Sequence, residues 1–455
     1  MALALMIAWG VGPTPAKTEE PHSPAGRLPE RSAVENPGVV STWLQGQDKS
    51  GSSAESEQAV ELALHWLAEH QMANGSWSFD HRFGSCRGQC SDPGSLAKAV
   101  NGATGMALLP FISHGNTHLF GPYRNTTAAG LQFLVSRMAA DGSLWEPGGT
   151  MYSHALGLFA LCEDCRIVRE TPAATAGNFA SDANPPSPKG SPDAAGSAKP
   201  RPVLTSKARR LREQEQQQQQ LREQLVPNAA RKALLFTLGC QDPRLGGWRY
   251  DRHPDSDISV TGWHVVALYS AEKANLVVPP RTAQGVTLFL NSVQSNSGAT
   301  YGYTVSRPIP SPTRSAIGLL CRVYTGWGRD QAGLHAGVAM LSKLGPSTND
   351  MYYNYYCTLL LHHYGGPLWD DWNRKMRDYL VRTQSHTGHE TGSWSFHDAQ
   401  STPAGGRLFS TCMACLILET YYRSIPVYSA SANQATATAA EGTKNLARPS
   451  RNQKG

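Results

Sequence analysis

The sequence predicts an all-α protein arranged as an α6/α6 toroid, a double ring of six helix pairs, and three observations predict it. Stretches with apolar residues at helical spacing alternate six times with stretches that are apolar nearly all round. Glycine-aromatic turns recur between the members of these pairs. The last apolar stretch is as apolar as the earlier ones, so an open array would leave it uncapped, whereas closure into a ring covers it.

The stretch 246–267, GGWRYDRHPDSDISVTGWHVVA, shows the unit most completely. Glycine supplies backbone angles closed to other residues, and Trp248 can fold back as a large apolar plug. Pro254 keeps its predecessor out of helical geometry, and Asp255 or Asp257 can accept hydrogen bonds from the free amides of the helix that follows. That helix, 258–268, is mostly apolar with small residues between, which suits burial on all sides.

In chain order, the first pair joins AVELALHWLAEHQ (59–71) to ATGMALLPFI (103–112) through NGSWSFD and a Gly-rich loop containing Cys86 and Cys90. The second has 128–138, the turn DGSLW and 153–165; the third has 230–241, GGWRYD and the central apolar helix. The fourth pairs 283–294 with 315–327 through the weaker turn GATYGY. The fifth, 332–344 with 349–366, has no tryptophan turn, and the sixth runs from 372–384 through GSWSF to 407–423. No single pair can bury its own apolar face, so the pairs must stack.

The toroid is expected over 58–428. Residues 1–57 read as an apolar tip and a disordered lead-in rich in Pro, Ser, Gly and Glu. The segment 170–225 is a Pro/Ala/Ser/Gly stretch ending in KARRLREQEQQQQQLREQ, expected to be a disordered outer insertion, and 429–455 a disordered tail. Ten basic and four acidic residues lie between Lys189 and Lys232, so this region carries the whole formal excess of +6. The remainder is neutral, which excludes a basic nucleic-acid face on the folded body. The apolar run at 2–12 is too short for a span, which takes about 18 residues, and lacks a basic leader region. Export, membrane association and a cytoplasmic location all stay open. Nine cysteines, mostly within apolar runs, are expected as small core residues, including the pairs Cys162/Cys165 and Cys412/Cys415. Cys86 and Cys90 would pair in an exported protein and otherwise stay free. His362 and His363 are expected as C-terminal helix residues that favour the dipole when charged.

Gln71 with Gly75-Ser76-Trp77, Gln241 with Gly247-Trp248, and Gln384 with Gly392-Ser393-Trp394 resemble the prenyltransferase and squalene oxidase repeats (QW-type motifs) of squalene-hopene cyclases and protein prenyltransferase β-subunits. The resemblance covers roughly 58–428 outside the insertion, and it implies the same α/α toroid. Cyclases of this family carry Asp-x-Asp-Asp-Thr-Ala at the start of an inner helix, with the middle aspartate as the acid. The aligned residues here, 255–260, read DSDISV, so Asp257 falls on the acid position with Asp255 as partner, and Ile258 replaces the next aspartate. Against this stands the plain possibility that Asp255 and Asp257 cap the helix. Prenyltransferases of the family hold zinc through an aspartate, a cysteine two residues later and a histidine. Asp350-Met351-Tyr352 lacks the cysteine and Phe409-Ser410 the histidine, so neither zinc by that route nor another cofactor is expected.

Trp263 in the third inner helix and Tyr352, Tyr353 and Tyr356 in the fifth are candidate walls for an isoprenoid chain, with π faces that stabilise carbocations. Three readings follow from these residues: an enzyme acting on a polyprenyl or terpenoid substrate with Asp257 as general acid, a non-catalytic binding scaffold meeting a partner yet unknown, and a glycan-active toroid needing two carboxylates across the cavity.

Overall fold

The protein is represented by a computed structural model that describes residues 51–84, 86–171, 224–252, 255–396, 402–423 and 426–428. The tip, most of the lead-in, nearly all of the 170–225 insertion and the tail lie outside the described residues.

Among the described residues twelve helices form six pairs, followed by a short helical turn at Thr420–Arg423. The first members are α1 (Ala54–Glu69), α3 (Arg124–Arg137), α5 (224–239), α7 (Pro280–Val293), α9 (Ala332–Leu344) and α11 (Pro367–Thr383). The second members are α2 (Val100–Ser113), α4 (Thr150–Glu170), α6 (Ile258–Lys273), α8 (Pro312–Tyr324), α10 (Met351–Tyr364) and α12 (Thr402–Leu418). The second members pack side by side, α2 on α4, α4 on α6, α6 on α8, α8 on α10 and α10 on α12, and α12 returns to α2. The inner ring is closed.

Burial follows the sequence pattern. In α2 every residue after Val100 is buried, whereas α11 buries only the stripe Trp372, Asn373, Met376 and Leu380. The first helix starts earlier than its apolar pattern, at Ala54, because Ser53 and Ser56 form a reciprocal capping box that satisfies the free amides there. Likewise α5 begins at 224, inside what the composition assigns to the insertion. Gln294–Ser295 and Thr300–Tyr301 form a two-stranded hairpin in the fourth turn, an addition the helical pattern does not foresee. No described helix is long and apolar enough to cross a membrane.

Three turns are built alike. Each tryptophan indole donates back to its own outer helix: Trp77 to the Leu67 carbonyl at 2.7 Å, Trp248 to Thr237 at 2.9 Å, Trp394 to Leu380 at 2.9 Å. Its backbone amide donates to a threonine hydroxyl of the following inner helix, Thr104, Thr261 or Thr411, at 3.0–3.1 Å. Each glutamine amide donates twice, once to the turn glycine and once forward to the next outer helix: Gln71 to Gly75 and Thr126, Gln241 to Gly246 and Thr282, Gln384 to Gly392 and Ala59. The glycines sit at φ of 86–91°, and a Cβ on any of them would overlap a backbone carbonyl of that next helix, at Ala129, Gly285 or Leu62. Glycine is therefore required twice over, for its angle and for the close approach. In the looser copy Leu144 takes the plug position, its amide donating to His154 Nδ1, and Trp145 instead donates its indole to the Tyr250 carbonyl.

Candidate functional site

The inner helices, with the loops before α2 and α4, line a half-open central cavity of about 90 Å³. Its wall comes mainly from the N-terminal halves of α2, α4, α6, α10 and α12: Gly102 and Met106, Tyr152 and Leu156, Trp263, Tyr352, and Phe409. Small residues, Gly102, Gly149, Ala404 and Gly405 among them, let backbone approach the space, and aromatic faces fill the rest. The wall is apolar apart from a few hydroxyls, and no Asp or Glu stands among its described residues.

Of the candidate wall residues, Trp263 and Tyr352 line this cavity. Tyr356 packs edge-on against Trp263 from behind, with ring centroids 5.7 Å apart. Tyr353 turns the other way, its hydroxyl donating to the carbonyls of Leu341 and Gly345 at the end of α9. The three tyrosines are close in sequence, but the 100° advance per residue sends Tyr353 outward. Tyr352 and Tyr353 also line a more open and polar cleft of about 470 Å³, with Ser259, Ser311, Arg314 and Asp350, so Tyr352 is the wall common to cleft and cavity.

The two carboxyl oxygens of Asp257 are placed differently. Its Oδ1 accepts from the amides of Ser259 and Val260, each at 2.9 Å, and so caps α6. Its Oδ2 is buried and accepts no hydrogen bond among the described residues; Arg249 Nε lies 3.8 Å away. Burial pushes the Asp257 carboxyl up to about 7, against the two amides and Arg249, which favour the ionised form. The carboxyl interacts electrostatically with Tyr152 and Tyr352 of the cavity wall, and with Tyr250 and Tyr303, whose hydroxyls bond to each other. Asp257 itself does not line the cavity. Asp255 is half exposed and ion-paired with Arg249, which links the two aspartates through one guanidinium.

Asp350 caps α10 through the Tyr353 amide and accepts from the Thr313 hydroxyl. Cys162, Cys412 and Cys415 are buried inside helices, and Cys165 is half buried, as core packing requires. His362 and His363 stand in the last turn of α10, as expected, but both are buried; His363 accepts from the Val427 amide and bonds to the Tyr324 hydroxyl.

Two features escape the sequence reading. Glu146, buried beside the cavity, caps α2 by accepting from the amides of Asn101 and Gly102, and it also accepts from the Ser153 hydroxyl. Burial raises its carboxyl above the usual range. The capping glutamate lies 45 residues from the helix it caps, too far for any local cap pattern to reveal. Elsewhere, His70, Cys86, Cys90 and His389 bring four ligand atoms within 4.8 Å of one another.

No family model and no curated protein matches the chain. Among solved structures it is similar to an alpha-amylase from Clostridium perfringens, at 10% identity and a TM-score of 0.45 over 80% of this chain and 98% of that one. It is also similar to a type II terpene cyclase from Scytonema in complex with its product merosterolic acid A, at 12% identity and a TM-score of 0.42 over 82% of this chain and 98% of that one. Likeness at this level carries no inference about chemistry, and the closed double ring rests on the contacts of the chain itself.

Proposed function

We propose that the six pairs are prenyltransferase and squalene oxidase repeats, and that the toroid binds a small apolar molecule of the isoprenoid or terpenoid class in its central cavity. The cavity wall carries this reading: aromatic faces of Trp263, Tyr152 and Tyr352 and apolar side chains of Met106, Leu156 and Phe409 surround a space with few polar groups. Branched hydrocarbon suits such a wall, because it buries methyl groups against ring faces and leaves no donor unmet. At roughly 10–15 Å³ per water-sized position, the space takes several such positions, enough for a short isoprenoid or one segment of a longer chain. Tyr352, shared with the polar cleft, would be the point where a ligand's polar end leaves the apolar interior. The glycan reading has no pair of lining carboxylates among the described residues to support it.

A second reading, acid catalysis, rests on Asp257 Oδ2, which stands beside the wall residues Tyr152 and Tyr352 rather than on the cavity itself, so a substrate must displace a wall tyrosine to meet it. A buried carboxyl near pH 7 in its titration keeps a proton to give, and the amides of Ser259 and Val260 stabilise the anion left behind. In such a step the O–H bond breaks as a C–H bond forms on the alkene, and the positive charge passes to the substrate carbon beside the aromatic faces. Asp255 would act indirectly, by holding Arg249 near the developing charge.

The test is extraction of the purified protein followed by mass spectrometry, then incubation with squalene and with prenyl diphosphates. The expected result is retained isoprenoid that Trp263→Ala weakens by about tenfold or more. Absence of any apolar ligand, with no binding of added isoprenoids, would sink the binding reading. If product forms, Asp257→Asn should abolish it while leaving the ligand bound, since the amide oxygen can still cap α6. Turnover that survives in Asp257→Asn would exclude that carboxyl as the acid.

A further inference from the structure

His70 ends α1, Cys86 and Cys90 stand in the loop before α2, and His389 lies in the turn after α11. Two distant parts of the chain, the first repeat and the last, thus meet at one point. His70, Cys86 and Cys90 are buried, and His389 is partly so. Cys90 Sγ lies 3.6 Å from His70 Nε2 and 3.1 Å from His389 Nδ1, and the Cys90 amide donates to Cys86 Sγ at 3.3 Å. The two sulfurs are not joined as a disulfide.

These separations fit a metal tetrahedron. With Zn–S of about 2.3 Å and Zn–N of about 2.05 Å, the edge between a sulfur and a nitrogen ligand is about 3.6 Å, and both observed edges fall within about half an ångström of it. The ligand chemistry agrees, since two thiolates and two imidazoles suit zinc above hard cations and neutralise its charge. The surroundings prepare one ligand: His70 Nδ1 lies 2.6 Å from the Trp66 carbonyl, which can only accept. The proton is thereby fixed on Nδ1, and the Nε2 lone pair faces Cys90. Arg407, the cation beside the group, is engaged by Asp92 and Glu390 at 3.2 and 2.9 Å.

We propose that His70, Cys86, Cys90 and His389 bind one zinc ion that fastens the last repeat to the first. Four protein ligands close the coordination shell, so the ion is structural and takes no substrate. On binding, each thiol gives its proton to solvent as its S–Zn bond forms, and both imidazoles bind neutral. The site is independent of what the central cavity holds.

The experiment is metal analysis of the protein purified under reducing conditions without chelator, together with cobalt(II) reconstitution. About one zinc per chain is expected, and the cobalt form should show the visible absorption of a tetrahedral site with thiolate charge transfer. The Cys86→Ser/Cys90→Ser double variant should lose the metal, His389→Asn should bind it at least about tenfold more weakly, and Cys240→Ser should keep it. If the double variant does not fold, His389→Asn, altered on a partly exposed turn, still decides the matter. Three results would overturn the proposal: reduced wild-type protein that takes up neither zinc nor cobalt, zinc retained by the double variant, or an intact mass short of two hydrogens that Cys86→Ser restores, which is the signature of a Cys86–Cys90 disulfide.

Discussion

The two sides of the ring are held differently. On the far side, between the fourth and fifth pairs, the chain runs straight on from one pair to the next, and the turns there have lost the glutamine-glycine-tryptophan arrangement. Gln294 accepts from Arg322 at 2.8 Å instead of reaching forward, and the fifth turn makes do with Asn354 bonded to Ser347. At the seam, where the sixth pair meets the first, no peptide bond spans the junction. There the arrangement is complete and is reinforced. Gln384 bonds to Ala59, Arg407 bonds to Ser91 and Asp92, the amides of Ser95 and Leu96 donate to the carbonyls of Pro403 and Ala404, and His114 sits between Glu61 and Glu419. Chain continuity lets a junction dispense with specific bonds. A junction without it must be made from side chains and loop backbone.

The strongest way to break this contrast is a methyl group at the seam. Gly392→Ala should cost at least about 3 kcal/mol in denaturant unfolding, because the φ of 91° and the overlap with the Leu62 carbonyl act together. On the far side Gly345→Ala should cost less, about 2 kcal/mol, since its φ of 73° with ψ of −177° is a nearly glycine-only conformation but nothing stands within 4 Å. Equal losses would mean the seam is not special. Next in size, Gln384→Ala leaves the buried carbonyls of Ala59 and Gly392 without their donor and should cost about 2 kcal/mol in the same assay. Gln294→Ala should cost less than half of that.

A subtler probe sharpens the contrast through pH. Burial disfavours charge on His114, yet the hydrogen bonds to Glu419 and Glu61 outweigh it and hold the imidazole up at about 9. A histidine whose folded value lies above its unfolded one, about 6.5, binds its proton more tightly when folded. Its stabilisation is therefore complete below pH 6.5 and is lost as pH rises through 9. Unfolding midpoints should fall across that window in the wild type and stay flatter in His114→Gln.

Much of the fold was legible because its signals are local. Gln71, Gly75 and Trp77 lie within seven positions of one another, and the apolar helices announce their own burial. The candidate site was legible in part. Trp263 and Tyr352 line the cavity, whereas Asp257 caps its helix and keeps a second, buried oxygen off the cavity wall. Tyr353 failed because composition names an aromatic cluster without giving its rotation about the helix axis. The histidine-cysteine group was hidden for a different reason: its members stand 299 positions apart between Cys90 and His389, and only ring closure makes them neighbours.

The forward reach of the glutamines has a consequence for how the molecule is made. Gln71 and Gln241 find their acceptors some 40–55 residues downstream, but Gln384 must bond to Ala59, which was synthesised 325 residues earlier. At roughly 5–20 residues per second, the first helix waits about 16–65 s on the ribosome before its partner exists. Throughout that interval the nascent arc carries an uncovered greasy flank, so closure of the ring is the last step its synthesis allows.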